Sequence, residues 1–481
     1  MATADSYDVI VIGGGPAGEN AADYATRDSD RTAVIVEHQL VGGECSYWAC
    51  MPSKALLRPV HLHASARAMP GVNEKMAAGG LNVEAVLARR NSFTHNRDDS
   101  SQVQWANGAG IDVARGTGRL IGERTVQVDG DTPRTLTARH AVVLATGTLA
   151  NVPDVPGLRA ALPWTSRDAT NLVEVPNRVI VVGGGVVACE AATWLRAFGA
   201  EVTLVNRGSS LLARNEPFAG ERVADAMRGR DIRIIFDAQL TNVDRPDVKN
   251  TGIGRIHGGP VTATVGGETI EADEILVAAG RGPAADVGLD SIGLEPGYVE
   301  VDDHLTATGV PGGWLYAVGD INGRIALTHM GKYQARVCGD VIAARAANRP
   351  LDGPRYRASA DHGQVPQVVF TSPEIAAVGR TEAEANKDGF DVRTVELDIA
   401  VAGSSLAQDD YSGRAKLVID RAKDTLLGAT FVGPDVGELI HAATVAVVGA
   451  VPLETLWHAI PAYPTVSEVW LRLLEQLRTS E

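Results

Sequence analysis

Residues 7–25 read YDVIVIGGGPAGENAADYA, and residues 178–200 read RVIVVGGGVVACEAATWLRAFGA. Each stretch opens on a continuous Val/Ile run, the pattern of a strand buried on both faces of a parallel sheet. Each then passes through glycines into an Ala-rich helix. A second strand follows in both cases, TAVIVE at 32–37 and EVTLVN at 201–206. The duplication predicts two βαβ nucleotide-binding units in one chain, and hence an α/β fold.

The first glycine motif is Gly13-x-Gly15-x-x-Gly18. Its first glycine permits the tight turn, the second lets a pyrophosphate approach the backbone, and the third lets helix and strand close together. The phosphates then meet the positive end of the helix. Glu37, at the end of the next strand, can accept hydrogen bonds from a ribose diol. The second motif is Gly183-x-Gly185-x-x-Ala188, and its strand ends on Asn206, not on an acid. Losing the carboxylate removes repulsion against a 2′-phosphate, and Arg207 or Arg214 could pair with one. That favours NADP over NAD, unless both arginines are solvated surface groups.

The chain has 481 residues, 45% hydrophobic and 21% charged, with a formal net charge of −15. This length suggests about three domains, and the composition is that of a globular protein, not a disordered one. An anionic surface argues against nucleic acid or an anionic membrane as partner. No stretch reaches the ~18 consecutive apolar residues of a membrane span. The N-terminus has no basic region before its apolar run, which leads straight into the glycine motif and so belongs to the fold. The expectation is a cytoplasmic protein.

Between the two units, TVQVDGDTPRTLTARHAVVLATG predicts short strands and turns, and LTHMGKYQARVCGDVIAARAA predicts a helix. ANRPLDGPRYR is the best linker candidate. Beyond it, strands such as QVVFTS and AKLVID alternate with helices such as TVSEVWLRLLEQL, enough for a separate α+β domain.

There are four cysteines: Cys45, Cys50, Cys189 and Cys338. Two of them lie in GGECSYWACMPSK, residues 42–54. A structural zinc site would need a second ligand pair, which is missing, so no metal is expected. Five residues apart at a helix start, the two sulfurs can approach bonding distance, and the helix N-terminus stabilises a thiolate. A dithiol cycling through a disulfide is the natural reading; the competing one is a pair of inert buried cysteines. Cys189 and Cys338 fall on predicted helices and read as core.

With these motifs the chain resembles the flavoprotein disulfide reductases, or class I pyridine nucleotide-disulfide oxidoreductases. That family includes dihydrolipoamide dehydrogenase, glutathione reductase, mycothione reductase, mercuric reductase and soluble transhydrogenase. The resemblance also rests on LATGT at 144–148, Glu190, VAAGRGP at 277–283, LYAVGD at 315–320, VVFTSPEIAAVGRTEAEA at 368–385 and YPTVSE at 463–468. It implies two Rossmann-like domains plus a C-terminal α+β dimerisation domain: residues 1–150 and 276–348 for FAD, 151–275 for NAD(P), and 349–481 for the interface. A homodimer would share its active site between subunits.

The resemblance also implies roles. FAD would be held by Gly13, Gly15, Pro16, Ala17, Gly18, Glu37, Gly43, Thr146, Gly147 and Gly319, with Asp320 on the ribityl chain. NADPH or NADH would meet Gly183, Gly185, Val186, Val187, Glu190, Asn206, Arg207, Arg214 and Gly280. Lys54 would lie near flavin N5 and pair with Glu190; a cation there stabilises reduced, anionic flavin. Cys50 would face the flavin as a thiolate, and Cys45 would be the interchange thiol facing the substrate.

One departure matters for mechanism. Thiol-exchanging members carry a histidine, oriented by a glutamate, where this chain has Tyr463 and Glu468. Histidine titrates near about 6.5 and tyrosine near about 10, so a neutral tyrosine is a poor base for a thiol. His458, five residues earlier, is an alternative base or an ordinary helix-end residue. Tyrosine at this position is similar to mercuric reductase and soluble transhydrogenase, but the latter lacks the complete cysteine pair. Mercuric reductases usually end on a vicinal cysteine pair, whereas this chain ends LRLLEQLRTSE. The aromatic insert Ser46-Tyr47-Trp48-Ala49 either reshapes the site or lies against the flavin domain.

The expected activity is NAD(P)H oxidation through FAD and the Cys45–Cys50 disulfide. The acceptor would need no histidine base: a metal ion, a quinone-like compound or an activated disulfide. The alternatives are a dihydrolipoamide dehydrogenase or another low-molecular-weight disulfide reductase, and a non-catalytic flavin-binding or redox-sensing protein.

Overall fold

The Val/Ile run after Tyr7 forms the strand Ser6–Ile12, whose last six residues are all buried. Such a strand can be apolar on both faces because both are covered: Val9 and Val11 pack among helix residues such as Ala21 and Val341, and Ile10 and Ile12 pack among strand residues such as Leu120 and Val126. In a computed structural model of the chain, which describes residues 5–76, 79–284 and 286–479, this strand lies at the middle of a seven-stranded sheet. It runs parallel to Ala33–Glu37 on one side and to Arg134–Leu144 on the other. Ile111–Arg115 extends the sheet beyond Ala33–Glu37, and Leu315–Ala317 adds in parallel to Arg134–Leu144. Thr117–Gly122 and Thr125–Asp129 complete it as an antiparallel ribbon.

The chain divides into two compact units. The first holds this sheet and comprises residues 1–52, 91–150 and 281–361. Two helices lie close together within it, Pro16–Thr26 and Thr328–Ala346. Their approach requires a residue without a side chain at Gly339, where a Cβ would lie 2.5 Å from Tyr24 Cβ. Cys338, beside it, is fully buried.

The second unit comprises residues 53–90, 151–280 and 362–481. Its four-stranded parallel sheet runs Arg233–Ile235, Glu201–Val205, Arg178–Val182, Glu274–Val277. The helix Val186–Ala197 covers it, and Cys189 and Trp194 on that helix are buried in the core. A separate five-stranded antiparallel sheet, Pro366–Val369 to Val392–Asp398 at its edges, carries the helices Ile440–Val448 and Val469–Thr479. The helix Cys50–Arg67 starts in the first unit and continues as the first segment of the second. Among the described residues, no helix is long and apolar enough to cross a membrane.

Candidate active site

In the first unit the glycine turn opens directly into the helix Pro16–Thr26, with Pro16 at its first position. Proline suits that place because the amide it lacks would have had no partner in the helix. A Cβ on Gly15 would meet nothing within 4 Å, so the turn leaves open space at the positive end of the helix. A Cβ on Gly18 would instead sit 1.9 Å from the Gly13 carbonyl oxygen. Gly18→Ala is therefore expected to push the turn off the helix and abolish FAD retention, read as loss of flavin absorbance relative to protein absorbance. Full flavin content in that variant would show that the turn does not hold the dinucleotide.

Glu37 is buried and accepts from the Gly14 and Gln39 amides, both at 2.7 Å. Burial pushes its carboxyl up, but the hydrogen bonds from His38, Gln39 and Gly14 outweigh this and hold it below the usual range. An anionic acceptor thus stands beside the glycine turn, as binding a ribose requires. The donor set and the open space fit a dinucleotide.

Asp320 follows the strand Leu315–Ala317 and accepts from Thr148 Oγ1 at 2.7 Å. Arg281 donates to the same hydroxyl at 2.8 Å. The buried Gln334 accepts from the Gly319 amide at 2.8 Å and from Asn322 at 2.9 Å, which fixes the Gly319–Asp320 turn. Sequence reasoning passed over Thr148, Arg281 and Gln334. The first two lie inside quoted motifs, whereas Gln334 sits unmarked in a helix. Thr146 hydrogen-bonds the Ala284 carbonyl at 3.0 Å, so the Thr146–Gly147 turn is tied to the segment after Pro283.

The cysteines also lie in the first unit, but not on one helix. Cys45 belongs to the short helix Gly43–Tyr47, and Cys50 begins the helix Cys50–Arg67. The helical path breaks at Trp48, whose φ of −127° leaves the α region. The expectation that both cysteines share a helix start is corrected by this break. Their side chains hydrogen-bond each other. Cys50 Sγ also lies 3.2 Å from Thr328 Oγ1. The bond to Cys50 and burial push the Cys45 thiol up, against a hydrogen bond from Thr328 and the charge of Lys332. Tyr47 and Trp48 are buried, with Arg97 over the Trp48 ring, so the aromatic insert points inward.

In the second unit, Lys54 stands one turn after Cys50 along the same helix. Its ammonium is 2.8 and 3.1 Å from the two carboxylate oxygens of Glu190, and 4.8 Å from the Phe370 ring centroid. Glu190 also accepts from the Phe370 amide at 3.0 Å. The carboxylate is almost completely buried, whereas Lys54 is 35% exposed. One end of this pair is thus fixed and the other reachable.

The second glycine turn leaves Gly185 as open as Gly15, with nothing within 4 Å of a Cβ there. Val186 lies partly buried against the core and Val187 is 37% exposed. Asn206 is buried and turned into its own loop, donating to the Gly208 and Ser210 carbonyls at 3.0 and 2.8 Å. That loop presents Arg207 and Arg214 as exposed cations. Gly280 accepts from the Asn151 amide at 3.0 Å. Near the C-terminus, Tyr463 is 76% exposed and His458 is exposed as well. Glu468 is buried, with one oxygen accepting from Arg472 at 2.7 Å and the other without a partner.

A family model described as pyridine nucleotide-disulphide oxidoreductase matches residues 7–335, and the dimerisation domain of the same family matches residues 365–473. A dihydrolipoyl dehydrogenase of Chlamydia trachomatis serovar D is 31% identical, over 97% of this chain and 96% of its own length. A mercuric reductase of Staphylococcus aureus is 29% identical, over 96% of this chain and 81% of its own. The fold is similar to that of the HOCl-induced flavoprotein disulfide reductase RclA from Escherichia coli, solved as a Cu(II) complex. That match has a TM-score of 0.83 and 23% identity, and covers 98% of this chain and 100% of the other. The members of this family use FAD and NAD(P)H. The chain belongs to the pyridine nucleotide-disulphide oxidoreductases and is an oxidoreductase of that family.

Proposed function

We propose that the protein oxidises NADPH and passes the electrons through Cys50 and Cys45 to an acceptor that needs no histidine base. The observation that carries this reading is the cysteine pair itself: hydrogen-bonded to each other, backed by Thr328, and one helical turn before a lysine paired with Glu190. Bound FAD would supply the hydride-accepting centre between nicotinamide and disulfide. Gly13 to Gly18, Glu37, Gly43, Thr146, Gly147, Gly319 and Asp320 would hold it, within the 1–150 and 276–348 segments assigned to that domain. Lys54 would hold positive charge against the reduced flavin, and Glu190 would orient that lysine. Gly183 to Val187 would bind the nicotinamide dinucleotide within 151–275, and Gly280 would meet it from just beyond that segment.

Residues 349–481 would form the interface of a homodimer, with Tyr463 presented to the partner's site and Glu468 buried within this chain. The high exposure of Tyr463 supports that placement. The acceptor classes are a metal ion, a quinone-like compound or an activated low-molecular-weight disulfide. A cytoplasmic setting suits a redox dithiol among only four cysteines. The likeness to dihydrolipoyl dehydrogenases favours a second reading, lipoamide turnover, against which Tyr463 stands.

Steady-state oxidation of NADPH and NADH against mercuric and cupric ions, quinones, lipoamide and glutathione disulfide tests both readings. Lipoamide turnover equal to that of a histidine-bearing relative would overturn the first. The cofactor preference has its own check. Arg207→Ala is expected to raise KM for NADPH by about tenfold, one lost charge-assisted phosphate contact, and to leave KM for NADH unchanged. Equal changes for both nucleotides would return Arg207 to the role of a solvated surface group.

A further inference from the structure

In the second unit, the helix Pro217–Arg228 follows directly on Glu216, which is buried. Both oxygens of the Glu216 carboxylate are engaged by residues from the C-terminal part of the chain. Oε2 accepts from Lys416 Nζ at 2.8 Å, and Oε1 accepts from the Glu382 amide at 2.7 Å. Lys416 lies on the strand Arg414–Asp420 of the five-stranded antiparallel sheet and is buried as well. Its ammonium also donates to Glu382 Oε2 at 2.6 Å. Burial pulls that ammonium down, but the hydrogen bonds to Glu216 and Glu382 outweigh this and hold it above the usual lysine range. A buried cation between two carboxylates has no other place to go, so the three groups are fixed together.

Glu216 also ends the loop that carries the two exposed arginines, Arg207 and Arg214. Within that loop Leu211 and Leu212 are buried in the core of the second unit. The Leu212 amide donates to the Gly184 carbonyl at 2.8 Å, which ties the loop to the second glycine turn. Asn215 closes a turn on the Leu212 carbonyl, 2.9 Å from its amide and 3.2 Å from its side-chain nitrogen. Arg214 stands in this turn, two residues after the tie to Gly184 and two residues before Glu216. One anchor therefore belongs to the nucleotide-binding segment and the other reaches the antiparallel sheet. Arg207 is held separately, beside Asn206, whose side chain donates to the Gly208 and Ser210 carbonyls. Farther along the helix, Arg222 donates to Asp398 at 2.7 Å and to Ser412 Oγ at 2.9 Å, but that contact is exposed.

We propose that Lys416, acting through Glu216, is a positioning residue for Arg214, which receives the 2′-phosphate of the nicotinamide nucleotide. The inference rests on the reading of this loop as the 2′-phosphate site. A cation binds phosphate best when it is already held in place, because ordering a free arginine on binding costs conformational entropy. Without the Lys416 charge, the Glu216 carboxylate would be left buried with one amide donor. It would turn toward water and release the end of the loop. The phosphate itself would then have to order Arg214, and NADPH would bind more weakly. NADH carries a free ribose hydroxyl at that position and does not engage the arginine.

The test is the ratio of KM for NADPH to KM for NADH in the FAD-loaded enzyme, with ferricyanide taking electrons from the reduced flavin. Lys416→Met should raise that ratio about tenfold, the loss of one charge-assisted phosphate contact. Arg214→Ala should raise it by as much. Lys416→Met added to Arg214→Ala should raise it no further, because the two act through one contact. Arg222→Ala removes an exposed contact between the same helix and the same sheet, and should leave the ratio at the wild-type value. The proposal is overturned by an unchanged ratio in Lys416→Met or Arg214→Ala, by additive effects in the double variant, or by an equal rise in Arg222→Ala. If Lys416→Met does not fold, Glu216→Gln replaces it with the same expected and overturning results, since Lys416 there keeps Glu382 as its partner. If neither Arg207→Ala nor Arg214→Ala moves the ratio, the reading of the loop as a phosphate site has itself failed. A raised ratio in Arg214→Ala beside an unchanged one in Lys416→Met removes only the role of Lys416.

Discussion

Cys50→Ser should retain FAD but lose the long-wavelength thiolate–flavin absorption on two-electron reduction. Its turnover with disulfide or metal-ion acceptors should fall by about a thousandfold or more, the size of effect expected when a covalent nucleophile is removed. Cys50 begins a helix of 18 residues, so its sulfur lies at the positive end of that helix. It also has Thr328 Oγ1 at 3.2 Å. The helix end favours a thiolate at Cys50, whereas Cys45 is pushed toward the thiol. The pair is thus asymmetric in the sense that the proposed relay requires, in which Cys50 would hold charge and Cys45 would meet the acceptor. Cys45→Ser should accordingly keep a thiolate absorption that needs no reduction, and lose acceptor turnover as fully as Cys50→Ser. Artificial one-electron acceptors that react with reduced flavin should still be turned over by both variants, because Lys54 and Glu190 are intact. Dithionite titration and paired acceptor assays read all of this. Wild-type protein without the band, or a Cys50→Ser enzyme that still turns over disulfides, would remove the cysteine pair from the reaction path.

Local patterns made much of this arrangement legible before any coordinates. The Val/Ile runs at 9–12 and 179–182 needed no partner to be read as strands, because only a parallel sheet covered on both faces uses them. The glycine turns after them were legible for the same local reason. What the sequence could not show depends on contacts between distant positions. Lys54 and Glu190 are 136 residues apart, and only the family resemblance suggested that they pair. Gln334 carries no motif, yet it ties down the turn that presents Asp320. The break at Trp48 was hidden because GECSYWAC contains no proline or internal glycine to mark it. Asn206 was read for the charge it lacks; its side chain instead shapes the loop that carries Arg207.

Arg245→Met should destabilise the second unit by about 3–5 kcal/mol, the effect of leaving one member of a buried ion pair without its partner. Arg245 and Glu274 both have fully buried side chains, 2.5 Å apart at their closest. Glu274 also accepts from the His257 amide at 3.0 Å and the Ile275 amide at 2.9 Å. Removing the guanidinium would leave a carboxylate with two amide donors and the His257 ring nitrogen at 3.8 Å, in a place water does not reach. For a unit of this size, that loss corresponds to a fall on the order of 10 °C in its melting temperature. Glu274→Leu combined with Arg245→Met should recover most of it, because apolar groups of similar volume often replace a buried pair at little cost. The consequence for function should be selective. Glu274 starts the strand Glu274–Val277, which leads to Gly280 and runs beside Arg178–Val182, the strand that feeds the second glycine turn. The first glycine turn, Glu37 and Asp320 belong to the other unit. Arg245→Met should therefore weaken nicotinamide-nucleotide binding near its melting point while FAD content stays at the wild-type level. Thermal unfolding followed by tryptophan and flavin fluorescence separates the two, since Trp164 and Trp194 are buried in the second unit. Simultaneous loss of both signals at one temperature, or a variant as stable as the wild type, would show that this pair does not hold the nicotinamide-binding sheet together.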